Sequence, residues 1–393
     1  GSPESRDDFP GSLALRAEVA KVSQSYLDRL SRSAGAPEGV RAESARGLLL
    51  LAERQGMPGR PNLGQTDAAW RNLAAAYGLA RGIGGAEGRE LQAQARLDEA
   101  HLIANLDNDF DSAGKRLEDA RRLVFDPRAP IPQLQGAWYA EMASLRQWQG
   151  RYADSLDAVR RGLASPPPDD PREAAIRAAN LQDLLAETTY YDGRPQDAVA
   201  PYRRRMAILE EAARRWPGDP QVARLLPRSR WALGSTLLEL RRPEEAAPIL
   251  ARGVAEARAV ADFDPADVDA ARVVEIVEDA QAQAFAALGR PQAAIAILES
   301  TVERRRQRML REPGVVMHAR DYGVAVASLA DIEAQAGRRQ SACRRYAEGE
   351  AVFEGLKRSG RQTELDVRST LKLLREGELR HCGPAGSTAR TPP

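Results

Sequence analysis

The sequence predicts an all-α protein, built as a solenoid of about seven helical hairpins with a capping helix at each end. Ala, Leu, Arg and Glu dominate the composition, and aromatic residues make up only 5%. Helices that pack through small side chains have this composition. One short segment also recurs at a fixed spacing, which indicates that a single supersecondary unit is stacked many times.

Four segments define the repeat. They are GRPQDAVAPY from Gly193, RRPEEAAPIL from Arg241, GRPQAAIAIL from Gly289 and GRRQSACRRY from Gly337. Successive starts lie 48 residues apart three times in a row. The register continues upstream, at spacings of 42 to 44 residues, through Gly150, Asn108 and Gly64. The starts therefore predict seven units.

Two positions after each start keep the same chemistry in all seven units. The fifth position is small: Ala69, Ala113, Ser155, Ala198, Ala246, Ala294 and Ala342. The ninth is apolar or aromatic: Leu73, Leu117, Val159, Tyr202, Leu250, Leu298 and Tyr346. A start residue, usually Gly, can end the first helix in a left-handed conformation. The small slots then let the two helices of a hairpin approach, and the large slots fill the space between them.

Two further helices complete a single solenoid that we expect over residues 11–380, because the ends of such arrays need covering. Residues 12–33 form an amphipathic helix before the hairpins at about 40–355, and residues 364–380 form one after them. Gly1-Ser2 is typical of a cloning tag, and we expect residues 1–10 to be disordered. The Pro-, Gly- and Ser-rich tail, 383–393, should be disordered too.

The sequence gives no sign of catalytic, cofactor or metal chemistry, so we predict that the chain is not an enzyme. The net charge of +1 argues against nucleic acid as the main partner. The three histidines, His101, His318 and His381, lie far apart in the sequence and form no metal-binding motif. The position seven residues before each start is small in five units: Ala143, Ala186, Gly234, Ala282 and Ala330. His101 holds this position in the second unit, which we interpret as a wider gap between hairpins.

The stretch RQGMPGRPNLGQTDAAW, from Arg54 to Trp70, is rich in Gly and Pro among helical neighbours. It lacks the Lys of a phosphate-binding loop and follows a helix rather than a strand. Gly64 is in register as the turn glycine of the first unit, and we expect Thr66 to cap the next helix. The extra GMPGRPNL therefore predicts an enlarged, proline-stiffened turn after a helix that ends near Gln55. A contact role for this turn stays open.

Cys343 and Cys382 are the only cysteines. In an up-down array the C-terminal helix runs antiparallel to the last hairpin helix, which would bring the two thiols together. A disulfide between them would contribute about 4 kcal/mol in the chain-entropy model and would indicate an oxidising compartment. Two unrelated free thiols are the alternative.

Two segments, AEMASLRQWQGRYADSLDAVRRGL and WALGSTLLELRRPEEAAPILARGV, resemble the tetratricopeptide repeat (TPR). The usual period of that repeat is about 34 residues, so the longer spacing predicts helices of roughly 20 residues. The resemblance implies a right-handed superhelix in which the first helix of every hairpin lines a concave face.

Family geometry also implies which side chains point into that groove. They are Trp148, Asn180, Asp183, Glu187, Tyr190, Tyr191, Arg228 and Trp231, with Gln147 and Ser235 at equivalent slots. Aromatic residues mixed with Asn, Asp, Glu and Arg are typical of peptide-binding surfaces, and Asp183 with Glu187 would suit a basic partner. The alternative is that the longer helices alter the geometry and the aromatics are packing residues.

The motif G-x-P-x-x-PNLG in the first hairpin resembles one in the extracytoplasmic C-terminal repeat regions of bacterial membrane-bound Ser/Thr kinases. Similar arrays follow winged-helix transcription regulators. The resemblance implies a non-catalytic sensor domain in bacterial signal transduction that binds a protein or peptide. It would be periplasmic and reach the membrane only through a span outside this chain. A cytoplasmic scaffold or adaptor, or a module that self-associates into a homodimer, is the alternative.

Overall fold

The computed structural model describes residues 36–60 and 62–382, together with four isolated helical positions, Leu15, Glu18, Val22 and Ser25. Within these residues the secondary structure is helical and includes no strand. The four isolated positions share one helix face and are all exposed. The rest of the predicted N-terminal capping helix, and both segments predicted to be disordered, lie outside the described residues.

Helices α1 to α14 follow one another as seven hairpins over the described residues 38–358. We call the first helix of each hairpin its A helix and the second its B helix. The A helices are α1 (Glu38–Gly56), α3 (Gly85–Leu102), α5 (Pro132–Trp148), α7 (Pro171–Tyr191), α9 (Pro220–Glu239), α11 (Val268–Ala287) and α13 (Val316–Gln335). The B helices are α2 (Thr66–Ala80), α4 (Phe110–Val124), α6 (Tyr152–Ala164), α8 (Pro195–Arg215), α10 (Pro243–Phe263), α12 (Pro291–Arg311) and α14 (Arg339–Arg358).

Short π-helical segments extend two parts of the array. Ile103–Asp107 continues α3 to the turn at Asn108. At the C-terminus, α15 (Glu364–Asp366) passes through the π-helical Val367–Leu371 into α16 (Lys372–Cys382). Together these last segments match the capping helix predicted at 364–380.

All seven predicted turn positions adopt the left-handed backbone conformation, with φ between 52° and 82°. They are Gly64, Asn108, Gly150, Gly193, Arg241, Gly289 and Gly337. Asn108 and Arg241 pay a steric cost that Gly avoids, so the turn geometry is imposed by the repeat rather than by glycine alone. The predicted register is confirmed. The predicted cap at Thr66 is wrong by one position, because Thr66 is the first residue of α2 and no side chain caps that end.

The small and large slots of the repeat form the core. The small and the large residues predicted from the register are all buried, with relative exposures of 4% or less. Glycine lets the two helices of one hairpin approach closely. A Cβ added to Gly234 on α9 would lie 2.5 Å from Cγ of Leu250 on α10, so the small position seven before the start meets the large slot inside one hairpin.

Helix length follows the repeat spacing. From α7 to α14 every helix has 20 or 21 residues, as the 48-residue spacing predicts. In the upstream units, where the spacing is shorter, α1 to α6 have 13 to 19 residues. The all-α, TPR-like hairpin architecture is therefore confirmed.

The chain divides into two compact units, the first ending at Val277 and the second beginning at Glu278, so the boundary falls within α11. Each is described by itself below. The first contains α1 to α10 and the start of α11. The second contains the rest of α11, the last hairpins and the C-terminal cap. One continuous solenoid through both units stays a prediction.

In the second unit the cap packs directly against α14. A Cβ on Gly349 would lie 2.6 Å from Leu374, and one on Gly377 would lie 2.4 Å from the ring of Tyr346. The sulfurs of Cys343 and Cys382 are bonded to each other, across 39 residues of sequence. The cap is thus held by close helix packing and by a covalent link.

Candidate functional site

Asp183 and Glu187 lie one turn apart on α7, at the surface that the A helices α5, α7 and α9 form. We call this surface the A-helix face. Nη1 of Arg205, a buried residue of α8, donates to Oδ1 of Asp183 at 2.7 Å. The side chain of Asp183 keeps 30% of its exposure. A carboxylate is therefore presented at the surface and braced from behind by a buried guanidinium.

The electrostatics of this pair favour a cationic ligand. Burial raises the pKa of Asp183, although Arg205 and Arg228 oppose the shift. Burial, with repulsion from Asp183, raises the pKa of Glu187 to about 7. Burial thus destabilises the charged forms by more than Arg205 and Arg228 offset. A cation supplied from outside would stabilise them.

Beneath the A-helix face lies a buried polar network that joins α5, α6 and α7. Thr188 Oγ1 donates to Oε1 of Gln147 at 2.7 Å and lies 2.9 Å from Oγ of Ser155. The Ser155 hydroxyl is within 2.8 Å of the carbonyl oxygen of Ala143. Gln147 is only 1% exposed. Its interpretation as a groove residue is therefore wrong, because the side chain satisfies a buried hydroxyl.

The aromatic residues predicted for the groove remain half-buried. Tyr190 and Tyr191 pack edge to face, with ring centroids 5.1 Å apart. The Tyr190 hydroxyl donates to the Glu239 carboxylate, which ties the end of α7 to the end of α9. Trp148 and Trp231 are also half-buried, whereas Asn180 is exposed. The four rings lie on α5, α7 and α9, the helices that form the A-helix face.

Arg228, another residue predicted for the groove, already has a partner within the protein. Its Nη2 lies 2.8 Å from both carboxylate oxygens of Asp269, near the beginning of α11. Arg224 forms an ion pair with Asp267 on the same connection. Burial opposes the charge of Asp269, but the guanidinium groups of Arg228 and Arg224 outweigh it and lower the pKa of Asp269. The beginning of α11 is thus fixed to α9 by ionised pairs.

The enlarged turn between α1 and α2 is an ordered element, which we call the strap: residues 57–60 and 62–64. Asn62, only 4% exposed, organises it. Its Nδ2 donates to the carbonyl oxygens of Met57 at 3.0 Å and Arg60 at 2.8 Å. Its Oδ1 accepts from the Gly64 N–H at 2.9 Å. The prediction of an enlarged turn in register is confirmed, with one amide side chain as its centre.

The strap makes main-chain hydrogen bonds to the beginning of α11. The Gly59 N–H donates to Oδ1 of Asp269 at 3.2 Å, across 210 residues of sequence. The Val268 N–H donates to the Asn62 carbonyl oxygen at 3.2 Å. Sequence reasoning missed both contacts. They bond the first hairpin to the helix that follows the fifth.

The strap also contacts the A helices of the second and third hairpins through His101 on α3. Nε2 of His101 lies 3.1 Å from the Pro58 carbonyl oxygen, and Nδ1 lies 3.1 Å from Oε1 of Glu141 on α5. Both nitrogens can donate at once only in the imidazolium form. Burial opposes that form, but Glu141 and the Pro58 carbonyl outweigh it and raise the pKa of His101. His101 replaces a small residue because it bridges the strap and α5, which our interpretation as a simple gap missed.

Arg60 carries the positive charge of the strap. Its Nη1 donates to Oε2 of Glu53 at 3.0 Å. Although burial opposes it, the carboxylates of Glu53, Asp98 and Glu141 raise the pKa of the Arg60 guanidinium. Burial in turn raises the pKa of Asp98 to about 6, despite the nearby Arg60. The strap therefore places a cation among carboxyl groups of three A helices.

Among the residues that the structure describes, no group of three His, Cys, Asp or Glu side chains is arranged to hold a metal ion. Within the same part of the chain, no helix combines the length and the apolar character needed to cross a membrane.

No protein-family model matches the chain, and no curated protein matches it in sequence. Solved structures are similar in fold. A Rap protein in complex with competence and sporulation factor has a TM-score of 0.57 at 13% identity, over 88% of this chain and 82% of that one. NprR in complex with its cognate peptide NprX has a TM-score of 0.54 at 12% identity, over 90% and 87%. Aspartyl phosphate phosphatase F from Bacillus subtilis has a TM-score of 0.55 at 11% identity, over 79% and 71%. At such identities these likenesses show the fold, an array of TPR-like hairpins.

Proposed function

We propose that the chain is a non-catalytic interaction domain that binds a peptide segment of a partner on its A-helix face. The observation that carries the proposal is the pair Asp183 and Glu187, half-buried carboxyl groups with raised pKa values on a surface that also holds half-buried aromatic side chains. The peptide NprX bound to NprR supports it by analogy of fold. The contact set is Trp148, Asn180, Asp183, Glu187, Tyr190, Tyr191 and Trp231, while Arg228 supports the strap through Asp269.

The chemistry of the face suits a segment that carries Lys or Arg. A bound cation would stabilise the ionised form of Glu187 and lower its pKa from about 7. Binding would therefore release a proton at neutral pH and strengthen as the pH rises through that value. The neighbouring rings would cover the aliphatic part of the bound side chain.

We place this domain outside the cytoplasm, as the sensor part of a bacterial signal-transduction protein. The Cys343–Cys382 disulfide supports this, because such bonds persist mainly in oxidising compartments. In this proposal a membrane span outside the chain joins the array to an effector such as a Ser/Thr kinase or a winged-helix regulator. Two free thiols in protein taken from its native cells would instead favour a cytoplasmic adaptor, and a concentration-dependent dimer would favour the self-association module.

A peptide-display selection on the purified chain tests the binding function. We expect the enriched peptides to contain Lys or Arg, and Glu187→Gln to weaken their binding about tenfold, as loss of one charge-assisted hydrogen bond would. Glu173→Gln is the matched control, since Glu173 lies on the same helix and is exposed. Absence of enrichment, or equal binding by both variants, would count against the proposal.

A further inference from the structure

We infer that the strap is an internal ligand of the A helices, held by the same kinds of contact that a bound peptide makes, and that a partner peptide competes with it where the two reach α5. Glu141, which His101 joins to the strap, lies on α5 seven residues before Trp148 of the contact set. The inference rests on the proposed function and names how that function is regulated. The strap is part of this chain, and every contact used below lies within the first unit.

Main-chain recognition is the first argument. Three strap groups are hydrogen-bonded by residues that belong to other hairpins: the Pro58 carbonyl by His101, the Gly59 amide by Asp269, and the Asn62 carbonyl by the Val268 amide. Receptors of extended peptides use such main-chain bonds for affinity and side-chain pockets for specificity. The strap is bound in this way by α3 and α11.

Side-chain recognition is the second argument. Arg60 projects a guanidinium towards Glu53, Asp98 and Glu141, which belong to α1, α3 and α5. Its side chain is nonetheless 45% exposed. The strap thus presents a cationic side chain to carboxylates of the A helices, as the proposed peptide would. That side chain is accessible to solvent and to a competing peptide.

The strap is longer than its hairpin requires. Only residues 149–151 separate α5 from α6, and a left-handed Gly150 suffices to reverse the chain there. Residues 57–65 separate α1 from α2, although the left-handed Gly64 occupies the same place in the repeat. Because three residues can close a hairpin, the additional length serves the contacts that the strap makes elsewhere.

Release of the strap would leave two of its binding residues, Asp269 and His101, with other partners. Without Gly59, Asp269 keeps both bonds to Arg228. Without Pro58, His101 keeps its bond to Glu141. The two bonds to the beginning of α11 are 3.2 Å long, at the weak end of the usual range. Release does remove Arg60 from Glu53, Asp98 and Glu141, and a Lys or Arg of a partner peptide would restore that charge, so the strap can be exchanged for such a peptide at little cost in free energy.

The test uses the strap sequence as a separate peptide. A fluorescent peptide QGMPGRPNLGQ, residues 55–65, is titrated against the intact chain and against a chain whose residues 57–63 are replaced by Gly-Ser-Gly. We expect binding to the shortened chain, binding at least tenfold weaker to the intact chain, and a loss of about tenfold when the peptide carries Arg60→Gln. No binding to a shortened chain that retains its helical signal and cooperative melting would overturn the inference.

A second variant covers the case in which the shortened chain does not fold. Asn62→Ala removes three hydrogen bonds inside the strap and leaves every residue that binds the strap unchanged. We expect faster amide exchange at Gly59 and Val268, and measurable capture of the strap peptide. Unchanged exchange together with no capture would equally overturn the inference.

Failure of this inference can be separated from failure of the proposed function. Display-selected peptides that bind the intact and shortened chains equally would reject competition by the strap but keep the binding face. Capture of the strap peptide by the shortened chain, with no selected peptide on either chain, would keep the internal ligand and reject the partner peptide.

Discussion

The Gly59 amide and the Asp269 carboxylate, 210 residues apart, are joined by a hydrogen bond of 3.2 Å. The bond connects the turn of the first hairpin to the helix that follows the fifth. Asp269 is ionised because Arg228 and Arg224 outweigh its burial. One buried carboxylate thus joins α9, α11 and the strap.

Replacing Asp269 by Asn should destabilise the first unit by about 3 kcal/mol, because Arg228 loses the buried partner of its ion pair, while Arg224 keeps Asp267. The Asn amide oxygen can still accept from Gly59, so exchange of that amide should rise less than in an Asp269→Ala chain. Urea unfolding measures the loss. Asp262→Asn, at an exposed position near the end of α10, should have almost no effect; equal losses in both variants would argue against the ion-pair account.

The raised pKa values of Asp98, about 6, and Glu187, about 7, predict that stability falls as the pH rises. In the unfolded chain these carboxyl groups ionise at about pH 4. Between those values the folded state binds more protons, so the free energy of unfolding decreases as the pH increases from about 4 to 7. Asp98→Asn or Glu187→Gln should flatten this slope and raise the thermal midpoint at pH 8 relative to the parent chain. A slope unchanged in both variants would show that other groups cause it.

His101 should also make the folded chain less stable as the pH rises. Here the group that loses its proton is a positively charged imidazolium rather than a neutral carboxyl group. Its pKa is raised in the folded chain, since Glu141 and the Pro58 carbonyl outweigh burial. The stabilisation is therefore complete below the unfolded value of about 6.5 and is lost as the pH rises through the folded pKa. His101→Gln should cost about 1–2 kcal/mol at pH 6 and less at pH 9. An equal cost at both values would mean that the neutral ring suffices.

Gly234 should not tolerate a side chain, although it lies in the middle of a helix. A Cβ there would meet Leu250 at 2.5 Å, and we expect Gly234→Ala to destabilise the chain by about 1–3 kcal/mol. Gly78, in α2, has no atom within 4 Å of an added Cβ. Gly78→Ala should therefore stabilise the chain by roughly 0.5–1 kcal/mol. Thermal melts of the two variants should move in opposite directions.

Removing the disulfide with Cys343→Ser and Cys382→Ser should free the C-terminal cap. The upper bound on the loss is about 4 kcal/mol in the chain-entropy model. Limited proteolysis should then cut near α16 before the hairpins, because only non-covalent contacts, such as the packing at Gly349 and Gly377 and the bond from Arg339 to the His381 carbonyl, would retain the cap. Adding a reductant to the double variant should change nothing further. If the cap still resists cleavage, helix packing rather than the disulfide is what mainly holds it.

The repeat was readable from sequence because its signals are local. A left-handed turn, a small slot and a large slot recur at fixed distances, and each reflects packing between helices that are neighbours in the chain. Register, hairpin number and helix length all follow from them. The Cys343–Cys382 pairing was accessible for the same reason, since it needs only the antiparallel order of adjacent helices.

The candidate site was less readable. Asp183 and the tyrosines of α7 lie at the surface, but Gln147 is buried and Arg228 is committed to Asp269. Groove positions transferred from the shorter tetratricopeptide repeat do not show which polar side chains will form hydrogen bonds or ion pairs within the protein. His101 was the one local sign of the strap contact, because a small slot rarely holds an imidazole.

The sequence by itself determined the hairpins, because burial of the small and large slots acts between adjacent helices. Only the tertiary structure decided what the strap does. The strap reaches His101 and the beginning of α11 only after five hairpins have stacked. The hydrogen bonds that join them follow no periodicity in the chain. Such contacts depend on the small rotation between successive hairpins, summed over five of them. The sequence of one repeat does not show how large that rotation is.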